Sequence, residues 1–290
     1  MDQSIAKIWI ISDDKQGHVN QSLGLVEALS RQVLNLTWQI IPAMSLWHAI
    51  RFSCIHKNKN ELPQLLISAG HKTHLSLLIL SKLLNIPCIT LMKPSLPISW
   101  FDLCIIPQHD SPPSKKNVIS SVGPLNRLQV KEKIPNSALI LIGGSSKHFG
   151  WDSKQIINQI TQITEQSSKH WLLTTSRRTP NETLDKLRKL TNIEVVPSAT
   201  THGDWLPSKL AQTEFCWVTQ DSSSMIYEAL TAGCKVNLLE LPNKKTNRIT
   251  QNLQQLRDTG YFNHSLSEKL PTRLAEADRC ATLVLSRFLK

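Results

Sequence analysis

Short apolar runs that do not alternate with polar residues recur along this chain, and helix-period segments separate them. A run of that kind fits a strand buried on both faces, whereas a strand with one wet face alternates. In the first half the pattern predicts strands over 7–11, 36–41, 64–68, 88–91 and 103–106, with helices over 20–33 and 72–84. Residues 117–136, with Gly123-Pro124 and Pro135, read as a crossover. The unit then restarts, with strands over 138–142, 170–174, 194–197, 214–218 and 235–239. Helices are expected over 153–165, 181–190, 222–232 and 246–259. At 290 residues the chain is too long for one ordinary core. The expected fold is α/β, with two doubly wound, parallel-sheet, Rossmann-like domains over 1–134 and 135–290 and a cleft between them. A last helix near 270–290 is expected to pack back onto the first domain. Ligands of such folds meet the loops at the carboxyl ends of the strands.

One of those loops is dense in polar groups. The strand ending at Val218 runs into Asp221, Ser222, Ser223 and Ser224 and then directly into a helix. Free N–H groups and hydroxyls at a helix start suit phosphate. Ser224 and Glu228, four residues apart, share a side, and a carboxylate there suits the hydroxyls of a ribose. A second loop, Gly143, Gly144, Ser145 and Ser146, follows the first strand of the same half; it can turn N–H groups around an anion or be a plain tight turn. Arg177 and Arg178 stand at another strand end before Pro180, where they can neutralise a diphosphate or remain solvated.

In the first half, the loop Ser12-Asp-Asp-Lys15-Gln16-Gly17-His18 precedes a helix expected from Asn20. The imidazole of His18 can serve as a general base toward an acceptor hydroxyl, or simply pack the loop. Gly17 permits close backbone approach, and Asp13-Asp14 is a weak metal signal better explained as loop structure. The next strand ends in Gly70-His71-Lys72-Thr73-His74, where His71 and Lys72 can bind an anionic headgroup or form an ordinary solvated helix start.

The net charge of +11 favours an anionic partner. No run of five basic residues occurs and only two Tyr are available for stacking, which disfavours nucleic acid. Cysteines at 54, 88, 104, 216, 234 and 280 show no metal-ligand spacing and mostly sit in apolar runs, so reduced thiols and a reducing compartment are expected. No signal peptide is legible, and the longest apolar stretch, 75–84, is interrupted by Lys82. A cytoplasmic protein, at most peripheral to the inner face of a membrane, is the expectation.

The segments Ser12–His18 with Gln21, Gly143-Gly-Ser-Ser146, Thr175-Ser-Arg-Arg-Thr-Pro180 and Asp221-Ser-Ser-Ser-Met-Ile-Tyr-Glu228 together resemble the mitochondrial-fission (elongated-mitochondria) family. Its bacterial members are treated as glycosyltransferases of the GT-B fold. A more distant likeness is to the GT-B enzyme that adds N-acetylglucosamine to the lipid-linked peptidoglycan precursor. By that resemblance His18 is the acceptor-side base, Gly144 and Ser145 contact diphosphate, and Glu228 holds ribose. That enzyme's glycine-rich first loop is here Asp-Asp-Lys-Gln-Gly, and Gly70-His71-Lys72 stands in place of its lipid-acceptor loop. The resemblance implies a metal-independent transferase with a nucleotide-sugar donor as substrate, no cofactor, and a lipid- or glycan-linked envelope acceptor of lipopolysaccharide type. Donor contacts are expected from Gly143, Gly144, Ser145, Ser146, Arg177, Arg178, Asp221, Ser222, Ser223, Ser224 and Glu228. Acceptor contacts are expected from Lys15, Gln16, Gly17, Gln21, His71 and Lys72. Plant members of the family are linked to recruiting a dynamin-like GTPase, which needs no catalysis, and a nucleotide-sugar epimerase is a third alternative.

Overall fold

The apolar runs form strands paired only in parallel, as their lack of alternation requires. The computed structural model describes residues 6–56, 61–244, 248–262 and 274–289. In chain order the first elements are β1 (Lys7–Ser12), α1 (Gln16–Ser30), β2 (Thr37–Pro42), α2 (Leu46–Ile55) and β3 (Leu65–Ala69). They are followed by α3 (His74–Leu84), β4 (Cys88–Leu91), β5 (Leu103–Pro107) and β6 (Val118–Ser121). Next come β7 (Ile134–Ile142), α4 (Ser153–Glu165), β8 (His170–Thr175), α5 (Asn181–Leu187), β9 (Glu194–Val196) and α6 (Trp205–Gln212). The chain ends with β10 (Thr213–Thr219), α7 (Ser223–Thr231), β11 (Lys235–Leu239), α8 (Arg248–Asp258) and α9 (Glu276–Phe288).

Two units result, one running to Arg127 and resuming at Ala275, the other spanning Leu128–Leu274. The division falls after Arg127 rather than after 134, because Leu128 onward already belongs with the second unit. The first unit's sheet has the order β2-β1-β3-β4-β5-β6. Residues of a strand point alternately to its two faces. Ile8 and Ile10 therefore enter one core with α1 and α9, whereas Trp9 and Ile11 enter another with α2 and α3. α9 is fastened by Arg31–Asp278 at 2.6 Å and by the Val122 N–H on Glu276 Oε2 at 2.9 Å.

The second sheet has the order β11-β10-β7-β8-β9. α4 occupies the span predicted for it because Asp152 caps its start, accepting from the N–H groups of Lys154 at 2.9 Å and Gln155 at 3.1 Å. Besides shifted ends, as at β7, which opens at Ile134 rather than 138, three elements depart from expectation. α2 and β6 had not been foreseen as ordered elements, and the last helix begins at Glu276; residues 263–273, where its start was predicted, lie outside the described ones. The stretch expected as a plain crossover thus carries the sixth strand of the first sheet.

Lys133 fastens the strand that opens the second unit. Its ammonium donates to Leu210 O at 3.2 Å, Ala211 O at 2.9 Å and Ala232 O at 2.6 Å, at the carboxyl ends of α6 and α7. A cation there meets the negative ends of two helix dipoles. Burial pulls its pKa below the ordinary 10.5, so the three carbonyls are what keep the charge inside. Lys133→Met should destabilise the second unit by about 1–3 kcal/mol, since it orphans buried carbonyls. Urea unfolding measures this, and an unchanged midpoint would contradict it.

Candidate functional site

In the first sheet the order β2-β1-β3 sets the ends of β1 and β3 side by side. After β1 the chain turns through Asp14 at a left-handed φ of 59°, with its N–H on Ser12 Oγ at 2.9 Å. The turn delivers Asp13 to the start of α1, where Oδ1 lies 2.8 Å from His18 Nδ1. The Asp13 side chain is buried, 3% exposed, and that of His18 is 17% exposed. Burial works to raise the Asp13 carboxyl. The hydrogen bond and charge of His18, with help from Lys15, outweigh it and hold the carboxyl below its usual range. An ionised Asp13 only accepts, so Nδ1 carries the hydrogen and Nε2 is left as the basic atom.

Gly70, at the end of β3, has φ +88°, and a Cβ there would run into the His18 ring. Both conformation and space demand glycine. Beyond it His74 is buried, with Nδ1 3.2 Å from Ser95 Oγ. Burial above all, then His71 and His18, push its pKa down to about 4, so it is neutral.

The expected acceptor contacts are less uniform. Lys15 Nζ lies 3.9 Å from Asp13 Oδ2, and Gln21 Nε2 donates to Met92 Sδ at 3.5 Å. Gln16 is tied to Asn20 on the helix surface, while His71 and Lys72 are exposed. Gly17 makes no close approach; it lies inside α1 with open space where a Cβ would stand. The helix starts at Gln16 rather than Asn20 because the Lys15 carbonyl takes the N–H groups of His18 at 2.9 Å and Val19 at 3.0 Å. His18 therefore sits in the first turn of α1.

In the second unit the strand order reverses beside β7, so the loops after β7 and β10 adjoin. Asp221, whose side chain is fully buried, joins them: Oδ2 accepts from Gly144 N–H at 3.0 Å and from Arg178 Nη2 at 2.8 Å. Thr219 Oγ1 takes the Gly143 N–H at 2.7 Å. The amides of Gly143 and Gly144, expected to face an anion, are thus already used inside the protein. Their glycines serve close approach instead, since a Cβ would strike the Asp221 carboxylate at one and the Arg178 backbone at the other.

Arg178 also donates to Gly144 O at 3.4 Å and Ser145 O at 3.3 Å, so it braces the loop. Its neighbour Arg177 is exposed and, among the described residues, unpaired. Thr179 Oγ1 closes the brace on Gly143 O at 2.5 Å. Asp221, Arg178, Thr179 and Thr219 thus hold the loops in place, while Arg177 and the α7 start face outward.

The open donors of this edge lie elsewhere. The N–H groups of Ser145 and Ser146 carry no hydrogen bond among the described residues. Ser222 precedes α7 without capping it through its side chain, so the first-turn amides at Ser223 and Ser224 are also open. One turn on, the partly buried Glu228 has no partner among the described residues, and burial pushes its carboxyl up to about 7. A helix dipole and open amides near a carboxyl group form an edge that can take phosphate and hydroxyl groups together.

Sequence reasoning missed the Asp13–His18 pair and the separation of Arg178 from Arg177. An Asp five residues before a His at a strand end was the available signal for the first; nothing local distinguished the two arginines.

The family model described as Mitochondrial fission ELM1 matches residues 16–288. The chain belongs to this family. Protein RP120 of Rickettsia prowazekii strain Madrid E, described as uncharacterized, is 24% identical over 296 residues, covering 81% of this chain and 84% of that protein. Among solved structures, Acinetobacter baumannii MurG is 11% identical with a TM-score of 0.52, covering 98% of this chain and 99% of that one. UDP-GlcNAc 2-epimerase from Neisseria meningitidis, bound to UDP-GlcNAc, is 12% identical with a TM-score of 0.51, covering 97% and 100%. These likenesses show the GT-B fold, which glycosyltransferases and epimerases of nucleotide sugars share.

Raising the Glu228 carboxyl from its ordinary 4.5 to about 7 has a definite sign. The folded protein holds a proton there that the unfolded chain has released, so this residue's contribution to stability is full below 4.5 and lost as pH rises to about 7. Glu228→Gln should remove that loss and be more stable than wild type at pH 8 by on the order of 1–3 kcal/mol. Denaturant melts at several pH values measure it; parallel curves for the two proteins would contradict the assignment.

Proposed function

We propose that this protein is a metal-independent GT-B glycosyltransferase. It moves a sugar from a nucleotide-sugar donor to a hydroxyl of a lipid- or glycan-linked envelope acceptor, of lipopolysaccharide type, at the cytoplasmic face of the inner membrane. The observation that carries the proposal is the open start of α7 with Glu228, unpartnered among the described residues, one turn behind it. A pure recruitment scaffold gains nothing from a half-buried lone carboxyl that costs it stability above pH 4.5.

On this reading the second unit binds the donor. The amides of Ser145, Ser146, Ser223 and Ser224, with Arg177, take the diphosphate, and ionised Glu228 accepts from ribose hydroxyls. Asp221, Arg178 and Thr179 keep those groups in place. The first unit supplies His18, whose Nε2 removes the acceptor hydroxyl proton while that oxygen bonds to the anomeric carbon. The bond from that carbon to the phosphate oxygen breaks, and the nucleoside diphosphate leaves with the electron pair. Asp13 holds the imidazole in the required tautomer and stabilises the imidazolium. An epimerase would instead return its nucleotide sugar intact, so release of nucleoside diphosphate distinguishes the two chemistries.

The donor is found by the nucleotide sugar that most raises the melting temperature. With that donor, His18→Ala should keep the melting shift yet slow nucleoside diphosphate release roughly 10²- to 10⁴-fold. Asp13→Asn should slow it too and move the limiting pKa of the pH–rate profile. Full activity in both variants would remove this pair from the chemistry.

A further inference from the structure

α2 and α3 pack side by side on one face of the first unit's sheet, burying Ala49 and Ser53 from α2 and Leu77, Leu80 and Ser81 from α3. Helical geometry turns a second set of side chains away from that core. The outer set is unusually apolar. Trp47 is 77% exposed, Ile55 68%, Leu75 51% and Leu83 53%. Arg51 and Lys82 are exposed in the same two stripes. Neither helix contains an Asp or a Glu. The whole stretch between Glu27 and Asp102 has one carboxylate, Glu61, against seven Lys and Arg.

We propose that the outer face of α2 and α3 docks on an anionic lipid bilayer. The proposal rests on the reading that the acceptor is lipid-linked and names the surface that would bring the protein to it. Two properties of the face select this occupant. A large indole with aliphatic neighbours gains free energy at the boundary between headgroups and acyl chains. Arginine and lysine in the same stripes lay their stems on apolar surface and present charge at the level of the lipid phosphates. The absence of carboxylates from both helices lowers the repulsion that an anionic surface would otherwise meet, and exposed Asp102, beside Lys82, is the acid at the margin of the face. Among the described residues no helix is long and apolar enough to cross a membrane, so the contact is peripheral.

Flotation of the full chain with vesicles tests this. Phosphatidylcholine vesicles containing phosphatidylglycerol should carry the protein upward, vesicles of phosphatidylcholine alone should not, and added salt should weaken binding. Arg51→Glu with Lys82→Glu should lower the partition coefficient roughly tenfold or more. Trp47→Ser should also lower it, with melting temperature unchanged in both variants because these side chains are exposed. The same charge change made in the second unit, Lys154→Glu with Lys189→Glu, should leave binding near wild type. No binding to the anionic vesicles would overturn the proposal. So would equal losses from the two charge-reversal pairs, which would make the effect one of net charge. The melting shift given by the nucleotide sugar, measured without vesicles, reads the donor-binding proposal separately, so either one can fail while the other stands.

Discussion

The buried carboxylate of Asp221 is the interaction on which the loop edge of the second unit depends. Parallel pairing obliges the chain to cross over after every strand, and the order β11-β10-β7-β8-β9 sends those crossovers opposite ways on either side of β7. Two loops are then left adjacent with no ladder to hold them. Asp221 supplies the link, taking an amide from one loop and the Arg178 guanidinium from another. A buried carboxylate is tolerable only with such partners. Because Asp221 and Thr219 consume the glycine amides, the groups left open are the next amides along and the start of α7.

The two polar centres illustrate how surroundings divide labour among carboxyl groups. Asp13 is buried beside a histidine, and its acidity rises because the ionised form is hydrogen-bonded. Among the described residues Glu228 has no such partner, and burial makes it a weaker acid. One carboxylate therefore orients an imidazole, while the other is a weaker acid with no side-chain partner among the described residues. The same α/β units carry both because each centre stands at the carboxyl edge of its own sheet.

Strands buried on both faces were legible because their apolar runs have few other uses. β4 and β11 match their expected limits, as does α4 with its Asp152 cap. α2 was hidden because it buries only Ala49 and Ser53 and turns Trp47 and Ile55 outward, which breaks the usual one-sided pattern. β6 was hidden because Val118–Ser121 is short and half polar at the sheet's edge. At the candidate sites, residue types were readable but bonding was not. Asp13 meets His18 only because Asp14 adopts a left-handed turn, and Arg178 rather than Arg177 reaches Asp221 only because of the turn at 176–179. Such choices are made by backbone direction within one or two residues, which periodicity does not encode.

Amide chemical shifts during a titration with nucleoside diphosphate probe the central claim most directly. The account predicts that the perturbed amides cluster at Ser145, Ser146 and Ser223–Met225, with Gly143 and Gly144 moving less because their N–H groups stay bonded within the protein. Perturbations spread elsewhere, with the first turn of α7 silent, would contradict it.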